Sequence, residues 1–436
     1  MKKKIERVKC IGGVITVPGD KSISHRAIML GAMAHGDTEV NGFLESEDCL
    51  ATVRCIRLMG IDVQKQGTVY VIKGKGIEGF KEPGDILDCG NSGTTIRLLS
   101  GLVAGLGFHV VLTGDRSLRN RPMTRVKNPL EQMGVRFDGR ESGKFAPISI
   151  RGGLLHGIDY KMSIASAQVK SAILLAGLNA YGETNIFERL STRDHTEKML
   201  SSFGADIEVI KANEGKANEG STIRLLPSSI KASKIEVPGD ISSAAFFLTA
   251  AAAMPGSDLT IMNIGLNPSR TGILEVLKRM GADIEIINER NCSGELVGDV
   301  RVKGTHLKAV QISADEIPSL VDEVPIIAVA AALAEGETII AGASELKMKE
   351  SNRLAVMTSE LIKVGVDIRQ KNDGLIIKGG KPILGGSVDC HKDHRIAMAM
   401  AVCGLFSKDG IEIQGVEAVA YSFPDFFAKL KMICEN

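Results

Sequence analysis

Tryptophan is absent from the 436 residues, tyrosine occurs four times, and aromatic residues make up only 4%. Platforms that stack nucleic-acid bases need aromatic faces, so single-stranded nucleic acid is not an expected ligand. An excess of one charge sign is also lacking: 53 Lys and Arg stand against 52 Asp and Glu, a formal net charge of +1. Such a chain has no general field to hold nucleic acid or anionic lipid, although a local basic cleft stays possible. No stretch reaches the roughly 18 uninterrupted apolar residues of a membrane-spanning helix. The longest, such as SAAFFLTAAAAMPG, are broken by Gly, Ser or charge. The N-terminal MKKKIERVKCIGG is basic, but no apolar core follows it, which argues against a signal peptide. The eight Cys include no C-x-x-C pair, so they read as small buried hydrophobes in a reducing cytoplasm. Neither G-x-G-x-x-G nor a Walker phosphate loop occurs, and His25, His195 and His394 lack metal-ligand spacing. No cofactor and no metal are therefore expected.

What is present is repetition. Met59-Gly60-Ile61-Asp62 returns as Met133-Gly134-Val135-Arg136, Phe203-Gly204-Ala205-Asp206, Met280-Gly281-Ala282-Asp283 and Val364-Gly365-Val366-Asp367. Each phrase closes an amphipathic run, which predicts a helix, a glycine at its C-terminal end, and then a strand. A second phrase is a polar start followed by a small-residue apolar helix. It appears as GDKSISHRAIMLGAMA, GNSGTTIRLLSGLVAG, SAQVKSAILLAGLNA, GDISSAAFFLTAAAA, DEVPIIAVAAALAEG and DHRIAMAMAVCGLF. Helices that are small and apolar all round belong in an interior. The pattern predicts an α/β chain of six copies of one unit, three to each of two similar domains. The sixth copy lacks the Gly-x-Asp phrase, as if the chain ended early or borrowed a strand from the N-terminus. VPGDK near residue 18 and VPGDI near residue 238 look alike, which sets the boundaries at 21–234 for one domain and 1–20 plus 235–436 for the other.

The polar starts carry candidate N-caps: Asp20 or Ser22, Asn91 or Ser92, Ser166, Asp240, Asp322 and Asp393. Helix N-termini expose unpaired N–H groups and about half a positive charge. If the units are arranged alike, each domain gathers its N-termini, and a cleft between the domains suits phosphates and carboxylates. Cationic side chains sit at the same starts: Lys21, Arg26, Arg97, Lys170 and Arg395. Arg121, Arg125, Arg193, Lys349 and Arg353 lie before or at the starts of the amphipathic helices. One arginine alone would more readily be a solvated surface charge. Recurrence at equivalent places in a repeat favours anion binding for the set.

Eight segments, in order along the chain, closely resemble those of the 3-phosphoshikimate 1-carboxyvinyltransferase family (5-enolpyruvylshikimate-3-phosphate synthases). They are VPGDKSISHRAIML, DCGNSGTTIRLL, GDRSLRNRPM, SAQVKSA, STRDHTE, LVDEVPIIAVAAA, ELKMKESNRL and DCHKDHRIAMA. GDKS, SAQVK and RDHTE look like the class II branch, often tolerant of glyphosate. The resemblance implies an inside-out α/β barrel of three βαβαββ-like units in each domain, with the site in the cleft between them. It implies transfer of the enolpyruvyl group of phosphoenolpyruvate to the 5-hydroxyl of shikimate 3-phosphate. The implied substrates are these small molecules alone, the implied setting is the cytoplasm, and the expected state is a monomer.

Matched by motif, Lys21 resembles the lysine that touches both substrates. Ser22, Arg26, Ser166, Arg193 and Lys349 resemble contacts to shikimate 3-phosphate, and Gln168 a contact to both ligands. Gly93, Arg121, Arg353 and Arg395 resemble the phosphoenolpyruvate site, where planar guanidinium forks suit a phosphate and a carboxylate. Asp322 resembles the carboxylate on the 5-hydroxyl and Glu350 the acid near the methylene. The chemistry needs both, since a hydroxyl proton must leave and a methylene must gain one. Asn352 stands where Asp is usual in the family, which predicts that Arg353 loses a neighbouring anion. Ser269 in NPSR replaces Thr, and Tyr421 lies near the place of a lysine of the other class. The UDP-N-acetylglucosamine enolpyruvyl transferases resemble the chain less, since Lys21-Ser22 replaces Lys-Asn and no Cys precedes Arg121-Pro122. A non-catalytic anion-binding module would be expected to lose the acids, and an RNA phosphate cyclase to carry a basic face.

Overall fold

A computed structural model describes residues 1–211 and 220–435. They fall into two compact units. The first is Gly19–Val237 with Cys292–Glu295; the second is Met1–Pro18, Pro238–Asn291 and Leu296–Asn436.

Each unit is built from one motif used three times. In the first unit the sheets run, in spatial order, Lys234–Glu236, His35–Asn41, Val69–Lys75, Asp62–Gln66; then Leu87–Asp88, His109–Thr113, Phe145–Arg151, Arg136–Gly139; then Asp159–Lys161, Thr184–Glu188, Ser221–Leu225, Ile207–Lys211. In the second they run Gly12–Thr16, Asp258–Gly265, Glu295–Lys303, Asp283–Cys292; then Gln311–Ile312, Glu337–Ile340, Leu375–Lys378, Asp367–Gln370; then Gly386–Asp389, Ile411–Gln414, Lys2–Ile5. In each of these six sheets the first pair is parallel and the second antiparallel. The sixth sheet takes its third strand from the N-terminus, where Lys2–Ile5 pairs with Ile411–Gln414.

The opening strand of each unit's first sheet lies far along the chain from its partner. Gly12–Thr16 pairs with residues 258–262 of the second unit, and Lys234–Glu236 pairs with Glu39–Asn41 of the first. Parallel pairing needs a distant strand, because a tight turn joins only antiparallel neighbours. The hairpin tip Cys292–Glu295 groups with the first unit although its flanking strands lie in the second.

The amphipathic helices are Glu47–Leu58, Thr124–Gln132, His195–Ser202, Gly272–Arg279 and Arg353–Lys363. Each is followed within two residues by a glycine with φ between 81° and 103°, at Gly60, Gly134, Gly204, Gly281 and Gly365. A side chain would be strained there, which is why the phrase keeps glycine.

The small-residue helices are Lys21–Met33, Gly93–Ala104, Ala167–Gly177, Ile241–Ala252, Val324–Leu333 and His394–Gly404, and nearly all their residues are buried. Gly101 shows why they must be small: a Cβ there would lie 2.1 Å from the Ala172 carbonyl oxygen of the neighbouring helix. Asp20, Ser92, Asp240 and Asp393 cap their helices through the side chain. Ser166 holds the cap position without, among the described residues, a side-chain bond to its helix.

Two expectations need correction. Asp322 is not a cap: Glu323 fills that position, because Pro325 sits in the first turn, where its missing N–H costs nothing, and sets the helix start one residue later. Lys170 is not an anion-binding cation. It is wholly buried, with Nζ 2.6 Å from Glu197 and 3.1 Å from Glu188, and donates to the Thr192 carbonyl at 3.4 Å. Burial alone would pull its pKa down; Glu197 and Glu188 outweigh that and hold it above the ordinary lysine value. Glu188 also accepts from the Thr192 hydroxyl at 2.8 Å, so the ion cluster fixes the loop that leads to Arg193.

Candidate active site

In both units the first turns of the buried helices come together, so the cations and acids of different repeats meet. In the first unit, Arg97 on the second buried helix donates to Gln168 Oε1 on the third at 3.1 Å, and Gln168 Nε2 donates back to Thr94 at 3.1 Å. Arg97 also reaches the carbonyls of Gly93 and Pro122, both at 3.3 Å. Arg121 donates to Asn91 Oδ1 at 2.6 Å, to its carbonyl at 3.2 Å and to Ser117 at 3.1 Å. Asn91 is itself held by Asp115 at 2.6 Å. A Cβ on Gly93 would lie 2.6 Å from Arg97 Nη1 and 3.3 Å from Arg121 Nη1. Gly93, Arg97, Arg121 and Gln168 therefore form one group.

A second group in the same unit surrounds the first buried helix. Lys21 pairs with Asp48, and both are largely buried. Arg26 is 3% exposed. Its Nε donates to Thr196 at 2.7 Å, Nη1 to the Ser22 carbonyl at 2.9 Å and Nη2 to Ser171 at 2.7 Å. His25 Nδ1 lies 2.7 Å from Thr52, whose hydroxyl lies 2.8 Å from Thr95. The Thr95 hydroxyl reaches the Asp48 carbonyl at 3.3 Å and Ser92 Oγ at 2.8 Å. Burial first, then Lys21 and Arg26, push the His25 pKa well below the usual value, so this imidazole is neutral. The network joins the Lys21 group to the start of the Gly93 helix. Arg193 and Ser22 are half-buried beside it, and Ser166 is buried.

His195 Nδ1 lies 2.7 Å from Glu295 Oε1. With Asp194 the three bring ligand atoms within 4.8 Å of one another. Lys198 Nζ stands 3.3 Å from Asp194 and 3.4 Å from Glu295, supplying the positive charge that these acids require.

In the second unit the charges are denser. Arg353 is 1% exposed. Its Nε donates to Asp393 Oδ2 at 2.8 Å, Nη2 to Glu350 Oε2 at 2.5 Å and Nη1 to Asp322 Oδ1 at 3.4 Å. Burial alone would lower its pKa, but Asp393, Glu350 and Asp322 together raise it beyond the ordinary arginine value. Asp322 also faces Lys349 at 3.7 Å and Arg395 Nη2 at 3.8 Å, and its carbonyl accepts from Arg395 Nη1 at 3.0 Å. One carboxylate thus meets three cations, and one guanidinium meets three carboxylates. Asn352 does not deprive Arg353 of an anion, contrary to the sequence expectation. It caps the helix instead, accepting from Ala355 N at 3.2 Å, while Asp393 comes from another repeat.

Sequence reasoning took Asp393 only as a cap and left out Asp48, Ser171, Thr196 and Glu323. The cap signal of Asp393 was correct, since Oδ1 accepts from Arg395 N at 3.0 Å; its second oxygen's hold on Arg353 has no local pattern. Five cysteines, at 49, 55, 89, 390 and 403, are buried, and all eight are free. No helix among the described residues is long and apolar enough to cross a membrane.

Six-fold use of one α/β motif, with charged first turns converging, is the architecture of the enolpyruvyl transferases. The solved enolpyruvyl transferase NikO from Streptomyces tendae has this fold, with a TM-score of 0.75 at 16% identity over 99% of this chain and 96% of that one. More specifically, residues 5–430 match the EPSP synthase (3-phosphoshikimate 1-carboxyvinyltransferase) family, and the chain belongs to it. A 3-phosphoshikimate 1-carboxyvinyltransferase from Alkaliphilus metalliredigens is 52% identical over 427 residues, 98% of each chain. One from Geobacillus kaustophilus is 51% identical over 429 residues, again 98% of each. The solved EPSP synthase from Acinetobacter baumannii is 44% identical, with a TM-score of 0.86 over 99% of this chain and 98% of that one.

Proposed function

We propose that this chain transfers the enolpyruvyl group of phosphoenolpyruvate to the 5-hydroxyl of shikimate 3-phosphate and releases phosphate, a step of the shikimate pathway towards chorismate and the aromatic amino acids. The observation that carries the reading of the chemistry is the second-unit cluster, where Asp322 and Glu350 share Arg353. Asp322 takes the proton of the 5-hydroxyl as its oxygen bonds to C2 of phosphoenolpyruvate. Glu350 exchanges the proton at C3, giving it to the methylene as the tetrahedral adduct forms. Glu350, which entered protonated, takes a C3 proton back as the C2–O bond to phosphate breaks, restoring the vinyl group, and the proton held by Asp322 leaves with the phosphate. The intermediate stays non-covalent with respect to the protein.

Lys21, Ser22, Arg26, Ser166, Gln168, Arg193, Asp322 and Lys349 serve shikimate 3-phosphate in this reading. Lys21, Gly93, Arg121, Gln168, Arg353 and Arg395 serve phosphoenolpyruvate. Lys21 and Arg353 already have internal carboxylate partners, Asp48 and Glu350, which substrate anions would replace. We take the two domains as 21–234 and 1–20 plus 235–436; the two compact units, and the pairing of Gly12–Thr16 with residues 258–262, support a crossover near those boundaries. We further read the protein as a cytoplasmic monomer without cofactor or metal; eight free cysteines suit a reducing compartment.

Phosphate release from phosphoenolpyruvate tests the reading. Release with shikimate 3-phosphate and none with UDP-N-acetylglucosamine is expected; release with neither acceptor overturns it.

Gly93→Ala is expected to keep the fold, because its Cβ meets only the movable ends of Arg97 and Arg121. The displaced guanidinium should raise KM for phosphoenolpyruvate about tenfold, the scale of a sub-ångström misplacement. Steady-state kinetics with each substrate varied in turn checks this.

A further inference from the structure

Arg270 and Ser242 take no part in the reaction outlined above, yet they are buried against a residue that does. Arg270, in the NPSR segment, is 2% exposed. Its Nη2 donates to Asp240 Oδ1 at 3.0 Å and to Ser242 Oγ at 2.6 Å. Because that hydroxyl oxygen accepts from a guanidinium, its single hydrogen is left for Glu323 Oε1, to which Ser242 donates. Glu323 is wholly buried, and the same Oε1 lies 3.6 Å from Arg395 Nη1. Glu323 occupies a cap position without a side-chain cap bond; its carboxylate faces Ser242 and Arg395.

Three repeats are thereby linked through one line of alternating charge: Arg270, the Ser242 hydroxyl, Glu323, Arg395. A buried carboxylate that meets a hydroxyl donor and a cation in a low-dielectric setting takes its direction from whichever of them is fixed. Ser242 is fixed, since its N–H is capped by Asp240 Oδ1 at 2.9 Å and Arg270 grips both residues. Arg395 is the more exposed end, its side chain 11% exposed.

We propose that Arg270, Ser242 and Glu323 are positioning residues that aim the Arg395 guanidinium at phosphoenolpyruvate. The inference rests on the assignment of Arg395 to that substrate. None of the three residues is required to touch a ligand.

The test is a double-mutant cycle read in KM. Ser242→Ala keeps the helix, Ala being its best former, and removes the hydroxyl that steers Glu323. It is expected to raise KM for phosphoenolpyruvate about tenfold, as misaimed substrate-clamping groups do, while KM for shikimate 3-phosphate is unchanged. Arg395→Lys should raise the same constant. Ser242→Ala added to Arg395→Lys should then change little further, since both act through one group. Additive effects, an unchanged KM for phosphoenolpyruvate in Ser242→Ala, or equal rises for both substrates would overturn the proposal while leaving Arg395 as a ligand. An Arg395→Lys enzyme with unaltered KM for phosphoenolpyruvate would overturn the substrate assignment and the relay together. Should Ser242→Ala not fold, Glu323→Gln keeps shape and acceptor, removes the charge facing Arg395, and is expected to give the same selective rise.

Discussion

Asp322→Asn should lower kcat by about 10²–10⁴-fold, the usual contribution of a general acid or base. Asparagine keeps the volume of the side chain and one acceptor oxygen for Arg353, so the surrounding geometry should persist. What it loses is the capacity to take a proton from the attacking hydroxyl. The three cations around the position, Lys349, Arg353 and Arg395, would then lack one counter-charge and hold anionic substrates no less firmly. The expected pattern is a collapse of kcat with a small change in KM for phosphoenolpyruvate, measured by phosphate release at saturating substrates. A variant that keeps most of its kcat would show that Asp322 only arranges the cations.

The largest effect on stability is expected at Lys170. Lys170→Met fills the same space but leaves Glu188 and Glu197, both at most 5% exposed, without their shared cation. Breaking a buried pair from one side costs about 3–5 kcal/mol, because the remaining charge is stranded. Urea unfolding followed by far-ultraviolet circular dichroism should show the loss; tryptophan fluorescence is no option in a chain without Trp. Neutralising the partners as well, as Glu188→Gln and Glu197→Gln in the same chain, should restore much of the stability. If the triple variant is no more stable than Lys170→Met, the lysine acts through packing and not through its charge.

The repeats were legible because they are written in residues with local duties. Gly60, Gly134, Gly204, Gly281 and Gly365 need positive φ, and Asp20, Ser92, Asp240 and Asp393 need an acceptor oxygen at a helix start. Such demands act within four residues and leave a pattern at fixed spacing. The borrowed strand of the sixth sheet was legible as an absence, since one phrase was missing from an otherwise regular series. Lys170 was misread because a lysine on the first turn of a helix looks the same whether it faces solvent or two distant glutamates. Its partners, 18 and 27 positions along the chain, reveal themselves only when the third repeat folds. Arg353 shows the same limit from the other side. The loss of an acid at Asn352 suggested a weaker site, yet Asp393 from the next repeat supplies the charge. Motifs located the charged residues; which of them neutralise each other depended on three repeats converging.

The distant strand pairings bear on the order in which the chain can be built. During synthesis Gly12–Thr16 emerges early, but its sheet partners begin at Asp258. The first unit reaches its closing strand at Lys234–Glu236 and, apart from the hairpin tip at Cys292–Glu295, can then assemble. The N-terminal segment meanwhile waits unpaired, and Lys2–Ile5 waits longer still, until Ile411–Gln414 has been made. Domains commonly fold from the N-terminus onward as they leave the ribosome. Here two early strands are among the last to be placed, and the second unit is sealed only once Ile411–Gln414 has been made.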